Sequence, residues 1–241
     1  MRTYAIIMAG GIGIRFGREM PKQFVNLDHK PIISYTLKTF DACELIDDIL
    51  VVYNEGSLDK IMEIVEKDEI KKVRKYVLGG MVRRESSFNG LNALKDVKPD
   101  IVVIHDAVRP FVTEKIIRDS IEAVKNGYDG VDVGIKTNHT ILHEYGGKLL
   151  KIEEREHLYE GQTPQTFKYN KIYKSYLEFN EEKLGAVIDD AHLAIKMNLN
   201  MGIVIGDENN IKITRPLDLF VAGKICRNNT SKKHTNNHSE L

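Results

Sequence analysis

The sequence predicts an α/β protein with a mostly parallel sheet, helices on both faces and a protruding β-arm. Short, largely apolar runs typical of buried strands recur at residues 4–8, 49–53, 74–78 and 101–104. The segments between them show the three-to-four-residue spacing of apolar side chains that indicates helices. Because strands and helices alternate and the strands do not alternate polar with apolar residues, we expect a sheet covered on both faces.

The predicted helices have recognisable start signals. Pro31 and Pro216 suit a first helical turn, where a backbone N–H has no intrahelical partner. Thr113 is a candidate N-cap. Asp189 and Asp190 favour a helix start, because the helix dipole stabilises acids in the first turn. Helices are expected at 31–40, 58–65, around Leu91 and Leu94, and at 114–125, 169–179, 189–197 and 216–226.

Length and composition predict one domain, at residues 1–227. The chain has 241 residues, of which 42% are hydrophobic, and a formal net charge of zero, so we expect neither nucleic acid nor a membrane surface as a partner. No apolar run approaches a membrane span or a signal peptide, which indicates a cytoplasmic protein. Two isolated cysteines, Cys43 and Cys226, predict ordinary reduced thiols.

Residues 131–158 interrupt the alternation of strands and helices. Short β-prone pieces with many charges surround a Gly146-Gly147 turn, which predicts a hairpin arm at about 136–158. Such an arm often contacts a partner subunit or forms a lid. Beyond it we expect an irregular polar segment at 159–167, a late strand at 203–205 and a disordered polar tail at 228–241.

The first strand leads into a glycine-rich loop that carries several cations. Glycines occupy positions 10, 11, 13 and 17, and Arg15, Arg18 and Lys22 lie in the loop or just after it. Glycine lets a backbone approach a ligand closely, so a strand followed by this loop suggests a phosphate cradle. A bound polyphosphate would explain both the glycines and the cations.

Two familiar phosphate-binding fingerprints do not fit this loop. The P-loop pattern has no register here. A dinucleotide fingerprint beginning at Gly11 places Phe16 where its third glycine belongs and leaves Lys22 unexplained. An NAD-linked oxidoreductase is therefore an alternative with weak support, and Asn54-Glu55 offers only a poor match to its acid. A flexible turn with solvated charges is a second alternative.

Three predicted strands end in charged or glycine-bearing segments. The first ends in the glycine loop, the third at 79–87 and the fourth at 105–111. The carboxyl ends of parallel strands lie at one edge of a sheet, which is where such sheets bind ligands. The three segments are therefore expected to form one active site.

Several segments together resemble the cytidylyltransferases that act on polyol and sugar-alcohol phosphates. These enzymes make CDP-linked polyols from CTP and release pyrophosphate, and the resemblance implies a Rossmann-like, GT-A-like nucleotidyltransferase fold. It covers residues 4 to about 225 in the family's order and spacing. The matching segments are Ala9-Gly10-Gly11-x-Gly13-x-Arg15, Pro21-Lys22-Gln23, Gly79-Gly80-x-x-Arg83-x-x-Ser86, residues 105–110, Arg155, residues 162–165 and residues 210–214.

Two branches of this family differ in the acceptor. One uses D-ribitol 5-phosphate and supplies CDP-ribitol for teichoic acids and capsules; the other uses 2-C-methyl-D-erythritol 4-phosphate in the isoprenoid pathway. Val108, Phe111, the Ala9-Gly-Gly start and residues 159–165 resemble the ribitol branch more closely, so ribitol 5-phosphate is the first expectation. His139 stands where the family usually has an aspartate before Thr140, so a different acceptor is possible.

The resemblance also implies roles for individual residues. Arg15 and Lys22 would neutralise the α-phosphoryl and leaving groups, with backbone N–H groups around them holding the triphosphate. A Mg²⁺ ion is expected on the phosphates, with Asp106 as a metal or ribose contact. The nucleotide-binding set is Met8, Ala9, Gly10, Gly11, Gly13, Gly79, Gly80, Arg83, Ser86 and Asp106, and the set that positions the acceptor phosphate is Arg109, Arg155, Thr163 and Lys212.

Several of these residues also have plain structural interpretations. Asp106 and Arg109 could form an ion pair at a strand end, and Lys212 could be a solvated lysine. His105 is expected to be a structural partner, because a phosphate dianion needs no general base. A homodimer in which the arm reaches the neighbouring subunit is expected, with Arg155 acting across the interface, and a partner reductase could supply the acceptor.

Overall fold

The computed structural model describes residues 1–11 and 20–236, except the side chains of residues 183–184 and 229–236. The strands are β1 (Thr3–Ala9), β2 (Asn26–Leu27), β3 (Lys30–Pro31), β4 (Asp48–Tyr53), β5 (Val73–Leu78), β6 (Ile101–Asp106), β7 (Gly130–Lys136), β8 (Leu142–Tyr145), β9 (Lys148–Ile152), β10 (Tyr159–Gly161), β11 (Gln165–Lys168) and β12 (Met201–Ile205). The helices are α1 (Ile32–Ala42), α2 (Leu58–Lys67), α3 (Arg83–Asn92), α4 (Glu114–Lys125), α5 (Tyr169–Glu178), α6 (Glu181–Leu184), α7 (Asp190–Lys196) and α8 (Pro216–Asn236).

A mostly parallel sheet forms the centre of the protein, which confirms the predicted fold class. In the described part of the chain the sheet has eight strands in the order β10-β7-β11-β6-β1-β4-β5, with β12 paired to β7. β1 is parallel to both β4 and β6, β4 is parallel to β5, and β12 is parallel to β7. The carboxyl ends of β1, β4, β5 and β6 therefore lie at one edge.

Two segments differ from the sequence prediction. Residues 131–135, expected in the arm, belong to β7 in the central sheet. Residues 159–167, expected to be irregular, supply β10 and β11, which both run antiparallel to β7, and β11 also pairs with β6. These strands are short and rich in polar residues and glycine, so they lack the apolar signal of the parallel strands.

Helices cover both faces of the sheet, and the side chains of β1 alternate between them. Ala5 and Ile7 face a core that includes residues of α1, α2 and α4. Tyr4 and Ile6 face the opposite core, which includes residues of α3, α5 and α7. Each fully buried isoleucine or leucine in these cores contributes roughly 1.5–3 kcal/mol to stability.

A smaller apolar cluster fixes the C-terminal part of the chain against the edge of the sheet. Val108, which follows β6, packs with Ile213 and with Ala222 of α8. This cluster brings the extended segment around residue 213 next to the end of β6. Cys226 belongs to the same cluster, and both it and Cys43 are free thiols.

The arm is a separate two-stranded hairpin made of β8 and β9. Gly146 and Gly147 form its turn with φ angles of +60° and +79°, which glycine adopts without strain. Exposed apolar side chains, including Leu142, Tyr145 and Leu149, line the arm. None of the described helices is long and apolar enough to cross a membrane.

The last helix extends further than predicted. α8 begins at Pro216, where Asp218 Oδ2 accepts hydrogen bonds from the backbone N–H groups of Thr214 and Arg215. It continues to Asn236, although the sequence predicts a disordered tail from residue 228. The sequence holds no glycine or proline between residues 224 and 236, so no strong helix breaker interrupts it. Residues 237–241 lie outside the described part of the chain.

Candidate active site

A cleft of about 290 Å³ opens at the carboxyl ends of β1, β5 and β6. Among the described residues it is lined by Met8, Ala9, Gly10, Gly11, Lys22, Gln23, Gly80, Val82, Arg83, Ser86, Asp106, Val108 and Lys212. The structure therefore brings together most of the residues that the sequence assigns to the nucleotide, as well as Lys212. Gly13 and Arg15 lie outside the described residues.

The start of the glycine loop is fixed by a buried glutamine. Gln23 Nε2 donates a hydrogen bond of 2.7 Å to the carbonyl oxygen of Ala9, and Gln23 is 1% exposed. Gln23 belongs to a short 3-10 turn, Lys22–Phe24, which follows Pro21. The same turn places Lys22 in the cleft wall. The segment after the loop thus holds both the end of β1 and a candidate catalytic cation.

The Gly79-Gly80 turn fits closely against the start of α3. Ser86 Oγ accepts a hydrogen bond of 3.0 Å from the N–H of Gly80. A Cβ at Gly79 would lie 2.8 Å from Ser86 Oγ, and one at Gly80 would lie 2.3 Å from Glu85 Cβ. A side chain at Gly80 would displace the start of α3, and one at Gly79 would displace the Ser86 hydroxyl, so the close approach explains why glycine suits both positions.

Asp106 is a buried carboxylate surrounded by cations. Its Oδ2 lies 2.7 Å from Lys212 Nζ, and the Nε atoms of Arg83 and Arg109 each lie 3.9 Å from one of its oxygens. Burial alone would raise the pKa of Asp106, but these cations outweigh it and hold that pKa well below its usual value. Asp106 is therefore an anion at neutral pH and orients the cations of the cleft.

Arg109 is placed beneath the cleft and does not line it. It is 9% exposed, and its Nη1 donates to the carbonyl oxygen of Asn210 at 2.7 Å. Its Nη2 donates to the carbonyl oxygen of Gly161 at 3.4 Å. Arg109 therefore ties the end of β6 to the segment that carries Lys212, which agrees with the structural interpretation of its pairing with Asp106.

Thr163 also faces the interior. Its hydroxyl donates to His105 Nδ1 at 3.0 Å and accepts from the N–H of Asp106 at 3.2 Å. His105 Nε2 donates in turn to the carbonyl oxygen of Arg109 at 3.2 Å. Burial lowers the pKa of His105 to about 4, so the ring is neutral and supports the β6 end as a structural partner.

Arg155 does not belong to the described lining of the cleft of its own chain. It belongs to an exposed 3-10 turn, Arg155–His157, at the base of the arm. Its Nη1 donates to the carbonyl oxygen of Asn138 at 3.4 Å, so Arg155 lies beside the exposed residues His139 and Thr140. Arg155, His139 and Thr140 thus form a polar cluster at the base of the arm, and none of them belongs to the described lining of the cleft.

The described side chains alone do not form a complete divalent-metal site. No group of three histidine, cysteine, aspartate or glutamate side chains suited to a metal occurs among them. Asp106 is the acidic residue in the described cleft lining, and its close partner is the ammonium group of Lys212. Lys212 occupies Oδ2, so a metal contact of Asp106 would use Oδ1 or follow the loss of this ion pair.

Some side chains that shape the site have roles that sequence patterns do not indicate. Gln23 lies in a recognised segment, but nothing in the sequence indicated that its side chain holds Ala9. Val82 lines the cleft as an ordinary apolar residue, and so does Val108, which the sequence singled out only for its resemblance to the ribitol branch. Asp190 carries a helix-start signal only, although its carboxylate binds Arg83 at 2.6 Å.

The fold and the cleft define an α/β nucleotidyltransferase. The sequence model of the family described as "IspD: 2-C-methyl-D-erythritol 4-phosphate cytidylyltransferase" matches residues 3–228. The chain belongs to this family of CTP-dependent cytidylyltransferases, which act on polyol phosphates. The membership removes the support for an NAD-linked oxidoreductase.

Relatives with two different activities resemble the chain about equally. The 2-C-methyl-D-erythritol 4-phosphate cytidylyltransferase of Clostridium acetobutylicum is 38% identical over 94% of this chain and 98% of its own length. The bifunctional ribulose 5-phosphate reductase/CDP-ribitol pyrophosphorylase Bcs1 of Haemophilus influenzae is 37% identical over 93% of this chain, which spans 48% of that relative. The solved 4-diphosphocytidyl-2C-methyl-D-erythritol synthase from Anaerococcus prevotii superposes with a TM-score of 0.81 at 29% identity, covering 94% of this chain and 96% of that one.

Proposed function

We propose that the protein transfers CMP from CTP to a five-carbon polyol phosphate, with 2-C-methyl-D-erythritol 4-phosphate as the first candidate. The family match over residues 3–228 supports this acceptor, as do relatives aligned over almost their whole length. The observation that carries the proposal is the placement of Lys22 and Lys212 in one cleft at the strand ends. Two anions must meet in this reaction, and each needs a cation.

The reaction requires positioning and charge stabilisation more than proton transfer. An oxygen of the acceptor phosphate attacks the α-phosphorus of CTP, the bond from that phosphorus to the β-phosphate oxygen breaks, and pyrophosphate leaves. Lys22 would stabilise the charge on the α-phosphoryl group and on the leaving pyrophosphate. Lys212, held by Asp106, would receive the acceptor phosphate. Neutral His105 has no part in these steps.

D-Ribitol 5-phosphate is the second candidate acceptor. The Haemophilus relative, whose name includes CDP-ribitol pyrophosphorylase, supports it at 37% identity. The segment at 159–165 supports it as well, because it resembles the ribitol branch more closely, whereas His139 departs from the aspartate usual in the whole family and favours neither acceptor. A CDP-ribitol product would fit the synthesis of teichoic acids or capsules.

One assay separates the two acceptors. The purified chain is incubated with CTP, Mg²⁺ and either polyol phosphate, and pyrophosphate release is measured over a range of acceptor concentrations. We expect a higher kcat/KM for methylerythritol phosphate. A higher value for ribitol 5-phosphate would reverse the order of the candidates, and release with neither would refute both.

Magnesium belongs to this proposal as a companion of the nucleotide. Because the described carboxylate of the cleft is paired with lysine, the phosphate oxygens of CTP would supply most ligands of the ion. The ion would offset charge on the triphosphate. Turnover should therefore depend on added Mg²⁺ and stop with a chelator.

The arm supports a homodimer in which each subunit completes the other's site. Its apolar side chains are exposed, with Leu149 at 58% and Tyr145 at 80%, and Arg155 lies outside the described lining of its own cleft. A two-fold pairing of arms would cover the apolar residues and carry Arg155 to the neighbouring cleft.

A mixing experiment tests this arrangement. Lys22→Ala and Arg155→Ala subunits, each inactive alone, are unfolded together and refolded at equal amounts. If Arg155 acts across the interface, half the dimers contain one intact site, and about a quarter of wild-type activity returns. If Arg155 acts within its own subunit, every site keeps a defect and no activity returns. A single-subunit mass by light scattering would also contradict the dimer.

A reductase is the expected source of a ribitol-type acceptor. The Haemophilus relative combines a ribulose 5-phosphate reductase with a CDP-ribitol pyrophosphorylase in one chain. If ribitol 5-phosphate proves to be the acceptor, a separate reductase would have to supply it to this protein. Co-purification with a reductase activity would test this.

A further inference from the structure

Asp190 is a buried carboxylate that lies directly behind the cleft. It belongs to the first turn of α7 and is 0% exposed. Its Oδ2 accepts a hydrogen bond of 2.6 Å from Arg83 Nη1, and its Oδ1 accepts one of 2.6 Å from Tyr176 Oη. Both carboxylate oxygens thus have a close partner, as a charge removed from water requires.

Arg83 connects Asp190 to the cleft. It lines the cavity with a side chain that is 28% exposed, and its Nε lies 3.9 Å from Asp106 Oδ1. Burial alone would lower the pKa of Arg83, but Asp190 and Asp106 raise it above its usual value. The guanidinium is therefore charged and held between one carboxylate behind the cleft and another within it.

Tyr176 fixes Asp190 from a third helix. Its ring stacks on Phe88 with centroids 5.9 Å apart, and Phe88 lies on α3 together with Arg83. Tyr176 belongs to α5 and Asp190 to α7. Three helices on one face of the sheet therefore hold a single guanidinium group in place.

The pairing also changes what Arg83 offers to a ligand. At 2.6 Å Asp190 offsets most of the positive charge of Arg83. What remains toward the cleft is a rigid set of N–H donors with little net charge. Such donors suit an uncharged polar group, such as a base carbonyl or a sugar hydroxyl, better than a phosphate.

We propose that Asp190 is a positioning residue for nucleotide binding, which holds Arg83 so that its remaining N–H groups donate to the base or sugar of CTP. The proposal rests on the placement of CTP in this cleft under the proposed function. It adds Asp190 and Tyr176, which do not line the cleft, to the residues that determine nucleotide affinity. It also separates Arg83 from the cations that act on phosphate.

The test uses Asp190→Asn, which keeps the size and one acceptor oxygen but removes the charge. The dissociation constant of CTP is measured by calorimetry on the full chain, and kcat is measured at saturating CTP. We expect the dissociation constant to rise about tenfold or more, because a charge-assisted hydrogen bond is lost and Arg83 becomes mobile. The kcat should change by less than about threefold, since Arg83 does not act on the reacting phosphorus.

A double-mutant cycle separates positioning from a general structural effect. If Asp190 acts through Arg83, Asp190→Asn should not weaken CTP binding further in an Arg83→Met background. If the losses in CTP binding free energy of the two single variants add in full in the double variant, the proposal is overturned. Tyr176→Phe serves if Asp190→Asn does not fold, and it should raise the dissociation constant about two- to fivefold. An unchanged constant in the folded variants would also overturn the proposal.

Glu181→Gln is the matched control. It breaks an Arg84–Glu181 contact of the same length, 2.6 Å, one residue along α3 and outside the cleft lining. CTP affinity should stay at the wild-type value, and an equal loss would contradict a specific role for Asp190. The turnover of the wild-type protein with each polyol phosphate tests the proposed function. The change in CTP affinity between the wild type and the Asp190 variants tests the present proposal.

Discussion

Lys212 Nζ lies 2.7 Å from Asp106 Oδ2, although the two residues are separated by more than a hundred positions in the chain. Asn210 and Arg109 make this contact possible, because the Arg109–Asn210 hydrogen bond fixes the segment that precedes Lys212. Asp106 is therefore the point at which β6 and the C-terminal segment are joined electrostatically.

Asp106→Asn should destabilise the protein by about 3–5 kcal/mol, because it leaves the buried cation of Arg109 without its carboxylate. Urea unfolding measures the free energy of unfolding. Asp48→Asn is the control, since Asp48 pairs with Arg2 and Arg74, whose side chains are 54% and 62% exposed and can return to water. We expect about 1 kcal/mol or less there. Equal losses for the two variants would contradict the argument.

Lys22→Ala should reduce kcat about 10²–10³-fold, because one preorganised cation is removed from the reacting phosphates. Pyrophosphate release at saturating substrates measures the effect, and circular dichroism checks the fold. Lys115→Ala, on the exposed face of α4, provides the control and should keep wild-type turnover. Near-normal turnover of Lys22→Ala would remove Lys22 from the catalytic group.

Alanine substitutions at two glycines of the cleft should have different effects. A Cβ at Gly10 would meet no atom closer than 3.8 Å, so Gly10→Ala should change the free energy of unfolding by less than about 0.5 kcal/mol. It should nevertheless weaken CTP binding, since Gly10 lines the cleft. Gly80→Ala should lose about 1–3 kcal/mol, because its Cβ would lie 2.3 Å from Glu85 Cβ. Thermal unfolding measures the stability of the two variants, and calorimetry measures their CTP affinity. A stability loss in Gly10→Ala as large as in Gly80→Ala would contradict the argument.

Buried His105 and partly buried Asp132 should give opposite pH dependences of stability that nearly cancel. Burial lowers the pKa of His105 to about 4, so the unfolded chain binds the extra proton between about pH 4 and 6.5, and stability falls as the pH falls through this range. Burial and the neighbouring Asp189 raise the pKa of Asp132 to about 7, so the folded chain holds the extra proton, and stability falls as the pH rises from about 4 to 7.

Asp132→Asn should therefore expose the His105 dependence. Gln165 Nε2 donates to Asp132 at 3.2 Å, and an asparagine oxygen can accept the same hydrogen bond. Relative to wild type, the variant should lose about 1.4 kcal/mol of additional stability for each pH unit between 6.5 and 4. Urea unfolding at several pH values measures the slopes. Parallel profiles for the two proteins would show that Asp132 does not titrate in this range.

The sequence was sufficient to predict the parallel strands β1, β4 and β6, because each places a run of apolar residues such as Ile101–Ile104 in the core. It assigned β7, which is parallel to β12, to the arm instead. It did not reveal β10 and β11. Their polar residues resemble a loop, and these segments become strands through hydrogen bonds to neighbouring strands of the sheet. For the cleft, motifs singled out Gly80, Asp106 and Lys212, and the structure places all three in its lining. They could not show that Thr163 and Arg109 turn inward, since inward and outward side chains of a polar segment look alike in sequence.

The Asp106–Lys212 pair also makes acceptor binding an exchange of anions. Asp106 already occupies the position where Lys212 would meet an incoming phosphate, so the phosphate must displace a carboxylate that the fold holds at high effective concentration. A monoanion gains little from this exchange, whereas a phosphate dianion brings a second charge and further acceptor oxygens. The cleft should therefore exclude chloride and acetate although it is rich in cations.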